Sequence, residues 1–315
     1  MYVKHLKLSG ILTAEKKGEV KMENVLEIKG LTKEYKDFRL GSLDIEIPCG
    51  FSTALIGANG AGKTTLIDII CGVTAKSSGE MKFFGSFTDN DRSDLRNRIG
   101  YCSSANYFPL DWNLKKIAGV METAFDNFDR QRFTDLCGRL KLGSPSDKKQ
   151  KKLVKMSDGN KMRTYIASVL ARDTDLLVLD EPASSLDPLA RDILCEMFRE
   201  YLSARDGERS VIFSTHNIAD MEFVTDYAVF MAEGQVVEKG FIEDLKEKYI
   251  IVHGDAADCK KAAPYMLTCN TNSTAFEGIA LAENADSLSY AATEKPTLQQ
   301  LSIGILRKAE ENEKA

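Results

Sequence analysis

The stretch GANGAGKTT, residues 57–65, constrains this chain more than any other. It fits G-x-x-x-x-G-K-[ST], in which glycines let successive backbone N–H groups converge on phosphate oxygens. The positive end of the following helix adds to the attraction. FSTALI before it reads as a buried strand, and a helix is expected from about Lys63. A chance glycine turn is the competing reading, and this strand–loop–helix setting argues against it. Gly57, Ala58, Asn59, Gly60, Ala61, Gly62, Lys63, Thr64 and Thr65 are therefore the candidate nucleotide-binding residues. Lys63 is expected to reach the β- and γ-phosphates, and Thr64 to offer a hydroxyl to Mg²⁺.

A second stretch supplies acids. LLVLDEP, residues 176–182, is a continuous apolar strand of the kind buried in a parallel sheet, ending in two carboxylates. Asp180 is placed to hold Mg²⁺ through water, and Glu181 to polarise an attacking water as general base. Two acids after an apolar strand mean little alone; with the phosphate loop they point to nucleotide hydrolysis. VIFSTH puts His216 at another strand end. A lone histidine is more often structural, but after this strand a γ-phosphate contact is the expectation.

The rest of the chain is ordinary for a soluble protein with a real core. It has 315 residues, 43% hydrophobic and 28% charged, and a formal net charge of −5. That charge argues mildly against nucleic acid, whose phosphates need clustered Lys and Arg. No apolar run approaches a membrane span of roughly 18 residues. The seven scattered cysteines, without a C-x-x-C pair, argue against a disulfide framework or zinc site and fit a reducing cytoplasm. VLEIKGLTKEY and FRLGSLDIEI alternate like strands. WNLKKIAGVMETAF and DRQRFTDLCGRLKLG space apolar residues by three and four, predicting two amphipathic helices. The basic run DKKQKKLVKM reads as a solvated face. From about residue 251, strand-like pieces and a terminal helix near residues 298–308 suggest a small appended domain, with a frayed EENEKA tail.

Together, over roughly residues 25–249, these motifs resemble the ATP-binding subunit of ABC transporters. In that family a phosphate loop, a Gln loop, an LSGGQ signature, an Asp–Glu pair, an SALD loop and a switch His occur in order. The matching positions here are residues 57–65, the region around Ser104, residues 156–160, Asp180 and Glu181, residues 184–187, and His216. The resemblance implies an α/β fold of the P-loop NTPase, ABC ATPase type. It would carry an antiparallel β subdomain, a helical insert (about residues 106–165) and a small C-terminal α+β extension. The expected boundaries are a leader at 1–21, an ATPase domain at 22–249 and the extension at 250–315. It implies ATP and Mg²⁺ as cofactors, Tyr35 stacking on adenine with Phe38 as second choice, and Ser157, Gly159 and Asp187 as further nucleotide contacts. It also implies an integral membrane subunit and a second ATPase subunit as partners. Two such subunits would pair head to tail, each signature pressing on the other's nucleotide. The chain would then lie on the inner face of the cell membrane.

DEPASSLDPLARD and the ending PTLQQLSIGIL look like ATPases of bacterial exporters with separate membrane chains. Export of a drug, peptide or lipid-like substrate is therefore the expected function. A nucleotide-binding regulatory module with low turnover is the alternative. Two departures from the family pattern bear on that choice. GYCSSA puts Ser103 and Ser104 where Gln is usual, and a serine is too short to reach Mg²⁺ or the lytic water directly. MSDGN replaces LSGGQ: Ser157 and Gly159 stay, Asp158 replaces a glycine, and Asn160 replaces Gln. Ser157 or Asp158 simply capping a helix is the competing reading. For residues 1–21 two readings stay open, an untranslated leader with Met22 as the start, or a natural leader.

Overall fold

The computed structural model describes residues 23–104 and 107–314. Met22, the leader before it, Ala105, Asn106 and Ala315 lie outside the described residues. The central layer is built from β3 (Ser52–Ile56), β6 (Ile99–Cys102), β7 (Leu176–Leu179), β8 (Ser210–Thr215), β9 (Tyr227–Ala232) and β10 (Gln235–Phe241), in the order β10-β9-β3-β8-β7-β6. All pairs are parallel except β9 with β10. Every residue of β3, β7 and β8 is buried, as expected for strands covered on both faces. Burying Leu176, Leu177, Val178 and Leu179 stabilises the fold by roughly 1.5–3 kcal/mol each. A second sheet, order β2-β1-β4-β5, is antiparallel: β1 (Asn24–Glu34), β2 (Arg39–Pro48), β4 (Ser78–Phe83) and β5 (Phe87–Thr88). Its inward residues, among them Leu43, Ile45 and Ile47, meet Leu66, Ile67 and Ile70 of α1 (Lys63–Ile70) in one apolar cluster.

α2 (Arg92–Arg98) gives no apolar periodicity in the sequence, since only Leu95 is buried. α3 (Leu114–Ala124) and α4 (Arg130–Arg139) match the two predicted amphipathic helices. Asn113 Oδ1 accepts from Lys116 N at 2.9 Å and Asp129 Oδ1 from Arg132 N at 3.0 Å. Each such cap is worth about 1 kcal/mol. With α5 (Asp158–Leu170) they bury Ile117, Met121, Phe133, Leu136, Met162 and Ile166 together. Arg172, just past α5, is 2% exposed; its guanidinium lies 3.6 Å from the Phe125 ring centre and donates to Ile99 O and Arg96 O. Burial pushes its pKa down to about 10. This buried cation ties the helical layer to the edge of the central sheet.

α6 (Pro188–Ser203) covers the sheet, and α7 (Ile242–Lys248) leads into a third sheet. That sheet, order β12-β13-β11-β14, is antiparallel: β11 (Tyr249–Asp255), β12 (Met266–Thr271), β13 (Ala275–Leu281) and β14 (Ala292–Glu294), with short α8 (Cys259–Ala262) between β11 and β12. One small cluster, Val252, Ala262, Phe276, Ala280 and Leu288, is its own. The last helix, α9 (Leu298–Lys314), instead buries Leu298, Leu301 and Ile305 in the same cluster as Phe213 and Phe230 of the central sheet. Glu222 Oε1 accepts from Leu298 N at 3.0 Å and pairs with Lys246. The helix continues to Lys314 through the segment expected to fray, where Glu310 and Glu311 are good helix formers.

Candidate nucleotide-binding site

Parallel strands share their carboxyl ends, so the segments leaving β3, β6, β7 and β8 meet along one edge of the sheet, where open α/β sheets bind ligands. The glycine loop leaves β3 there. A Cβ on Gly57 would sit 2.3 Å from Met231 O, a backbone atom that cannot yield. Gly62 caps α1 at φ 98°, a left-handed conformation that glycine adopts without strain. Ala58, Asn59 and Gly60 face solvent, leaving the loop mouth open above the N-terminus of α1. Lys63 is 6% exposed, and its Nζ donates to Gly57 O at 2.8 Å and Ala58 O at 3.0 Å. Burial pushes its pKa down; the Glu181 and Asp180 carboxylates push back.

Asp180 is 1% exposed and receives three hydroxyls. Thr64 Oγ1 lies 3.2 and 3.0 Å from its two carboxylate oxygens, although the residues are 116 apart in sequence. Ser104 Oγ donates to Oδ2 at 2.9 Å, and Ser214 Oγ to Oδ1 at 2.6 Å. The structure thus gives Ser104 a partner that its length allows, the acid itself. Glu181 sits at φ 49°, left-handed for a non-glycine residue, a conformation that costs on the order of 1–3 kcal/mol and clusters at functional sites. Its N–H donates to Ser214 Oγ at 2.8 Å, and its Oε2 lies 2.9 Å from His216 Nδ1. Glu181 Oε1 is 3.9 Å from Lys63 Nζ. Lys63, Thr64, Asp180, Glu181 and His216 therefore form one connected group. Sequence reasoning missed Ser214 and the Ser104 contact; the only available signal was a hydroxyl pair, S-T, before His216.

The remaining candidates form a second group. Ser157 caps α5, its Oγ accepting from Asn160 N at 3.3 Å. A Cβ on Gly159 would come within 2.7 Å of Ser185 O, so this glycine allows close approach to the segment after Glu181. Asp187 caps α6 through Ala190 N at 3.0 Å and forms an ion pair with Arg163 of α5. The Ala190 N–H, then Arg163, hold the Asp187 carboxyl below the usual range. Ser184 Oγ donates to Glu181 O at 2.9 Å, so the short segment 181–187 joins the two groups. Asp158 is 85% exposed and pairs with Lys161 at 2.9 Å. Tyr35 is 48% exposed, with Lys33 Nζ over its ring at 5.1 Å. Phe38, its neighbour at 6.4 Å between ring centres, reaches the loop, its Cζ 3.1 Å from where a Gly62 Cβ would stand.

Residues 40–184 match the family model described as ABC transporter. The nickel import ATP-binding protein NikO of Rhodobacter capsulatus is 30% identical over 243 residues, covering 70% of this chain and 90% of that protein. The Nod factor export ATP-binding protein I of Rhizobium leguminosarum bv. viciae is 27% identical over 226 residues, covering 71% and 72%. A solved ATP-binding subunit of an ABC transporter superposes with a TM-score of 0.60 at 25% identity, covering 70% of this chain and 92% of that one.

Proposed function

This chain belongs to the family of ABC transporter ATP-binding subunits, and from that premise we propose that it powers export of a substrate through a separate membrane subunit. It binds ATP with Mg²⁺ and hydrolyses the ATP, and it works with an integral membrane subunit and a second ATP-binding subunit. The observation that carries the site assignment is the continuous contact from Lys63 and Thr64 through Asp180 and Glu181 to His216. The Thr64 hydroxyl and Asp180 carboxylate are hard oxygen donors of the kind Mg²⁺ takes, so the residues fit that ion. When bound, Mg²⁺ neutralises charge on the β- and γ-phosphate oxygens. The open loop 57–65 cradles the phosphates, Lys63 supplies positive charge, Glu181 accepts a proton from the attacking water, and His216 orients Glu181. Ser157, Gly159 and Asp187 act on the nucleotide held by the paired subunit, and Tyr35 is offered to adenine.

Support for export is the likeness of DEPASSLDPLARD and of the C-terminal extension to exporter ATPases, together with two relatives named for export. None of the described helices is long and apolar enough to cross a membrane, so docking on the inner face through the membrane subunit is part of the proposal. The test is transport by inside-out vesicles made from native membranes, using a panel of fluorescent drugs, peptides and lipids. ATP-driven accumulation inside the vesicles, lost when this chain carries Lys63→Ala, is the expected result. ATP-driven loss from preloaded vesicles would assign import instead.

The altered signature makes its own prediction. Asp158 places a carboxylate where the paired subunit's γ-phosphate would come, and Lys161 offsets only part of it, because so exposed a pair is weak. Asp158→Gly is expected to raise ATP turnover by roughly 2- to 5-fold, the equivalent of up to about 1 kcal/mol. The same change removes an acid from the first turn of α5, so the unfolding midpoint should fall slightly. An unchanged rate would make the departure neutral.

A further inference from the structure

Ser214 lies in β8, fully buried, between the two acids that leave β7. The strands run parallel with Leu179 opposite Phe213, so the next step of the register brings Ser214 beside Asp180. One hydroxyl then serves both acids. It donates to Asp180 Oδ1 at 2.6 Å and accepts the Glu181 N–H at 2.8 Å. Its directionality is fixed: having given its only proton to a carboxylate, the oxygen keeps lone pairs for the amide. The donor half is a charge-assisted bond of the usual short length for a hydroxyl on a carboxylate. The acceptor half holds the backbone N–H of a non-glycine residue at positive φ.

We propose that Ser214 is a positioning residue for hydrolysis: it aims the Asp180 carboxylate toward the metal position and locks the left-handed turn that presents Glu181. The proposal rests on the roles of Asp180 and Glu181 given above. Other groups also hold these acids, but none of them bridges the Asp180 carboxylate and the Glu181 N–H. Thr64 and Ser104 reach Asp180 but not the Glu181 amide. His216 and Lys63 reach the Glu181 side chain and Ser184 its carbonyl, so the Glu181 N–H is left to Ser214. Without the hydroxyl, a desolvated carboxylate loses a donor and a strained peptide loses its acceptor. ATP is held chiefly by the loop and Lys63, so the effect should fall on turnover and on metal affinity rather than on nucleotide affinity.

The test uses the purified full chain with Ser214→Ala, Ser214→Thr and Glu181→Gln in parallel. Steady-state turnover, ATP affinity by calorimetry, Mn²⁺ affinity in the presence of ATP by electron paramagnetic resonance, and the thermal midpoint are measured for each. Ser214→Ala is expected to lower kcat by roughly 10- to 100-fold, the effect of losing one or two buried hydrogen bonds. ATP affinity should stay within about threefold, Mn²⁺ affinity should weaken severalfold, and Ser214→Thr, which restores a hydroxyl, should recover most of kcat. Turnover within twofold of the parent in Ser214→Ala overturns the proposal. So does an alanine variant whose ATP affinity falls as far as its kcat while Mn²⁺ binding is unmoved, the pattern of a general loss of structure. Should the alanine variant fail to fold, Ser214→Cys, a weaker donor, carries the same test: turnover equal to that of Ser214→Thr overturns the proposal, and a roughly tenfold deficit supports it. Glu181→Gln separates the two levels, because retained turnover there removes the assignment of the base whatever Ser214 does.

Discussion

Glu181→Gln should lower ATP turnover by on the order of 10²- to 10⁴-fold while leaving ATP affinity within a few-fold of the parent. The amide has the shape of the carboxylate, so the 2.9 Å contact with His216 Nδ1 and the backbone bond to Ser214 can persist. What disappears is the ability to take a proton from water. The backbone at φ 49° is as strained for Gln as for Glu, so stability should hardly move from that cause. One compensation is expected: with the Glu181 charge gone, Lys63 at 3.9 Å loses a partner that supports its charged form against burial. With hydrolysis blocked and binding intact, two copies should remain closed over ATP, and light scattering will detect an ATP-dependent dimer absent from the parent under turnover. Parent-like turnover in the variant would place the base elsewhere. A monomeric ATP complex with turnover abolished would separate hydrolysis from the closing step.

How far the sequence discloses this site depends on the range of each contact. The loop 57–65 is a local object: its glycines, the strand before and the helix after are contiguous, and a Cβ would clash at Gly57 and a left-handed turn falls on Gly62, demands that a motif encodes. The acids are legible because a fully buried strand, Leu176–Leu179, needs an uninterrupted apolar run and makes its polar end conspicuous. Ser214 is not legible, because its importance arises from the register between β7 and β8, across 34 residues, and nothing within VIFSTH announces a carboxylate neighbour. Ser104 is judged by length as a poor substitute for glutamine, whereas packing of β6 beside β7 gives it a partner within reach. α2 shows no periodicity because only Leu95 is buried. Likewise the terminal helix declares itself by its apolar spacing, while its union with the core of the central sheet depends on tertiary contacts such as Glu222 with the Leu298 amide.

Lys63→Ala should abolish measurable turnover and weaken ATP binding by roughly 10²- to 10⁴-fold. Hydrogen bonds to a charged partner contribute about 1.5–3 kcal/mol each, and this ammonium is positioned to meet two phosphates. Its stability effect in the absence of nucleotide should be small because two terms oppose. The Gly57 and Ala58 carbonyls lose donors at 2.8 and 3.0 Å, which destabilises. Yet the charge itself is 6% exposed and its pKa is pushed down by burial, so removing it also lifts a desolvation cost. The net change should stay within about 2 kcal/mol, whereas ligand-induced stabilisation should vanish. A ligand at 100 times its Kd raises stability by about 2.7 kcal/mol, which at saturating ATP gives the parent a clear rise in thermal midpoint. The variant should show none at the same concentration. Lys63→Arg keeps the charge but replaces a slender ammonium by a planar fork that the carbonyls of Gly57 and Ala58 leave little room for, so it should bind better than Ala and still turn over poorly. An alanine variant that binds ATP as the parent does, with the midpoint rise intact, would transfer phosphate recognition from the Lys63 side chain to the loop's backbone amides alone.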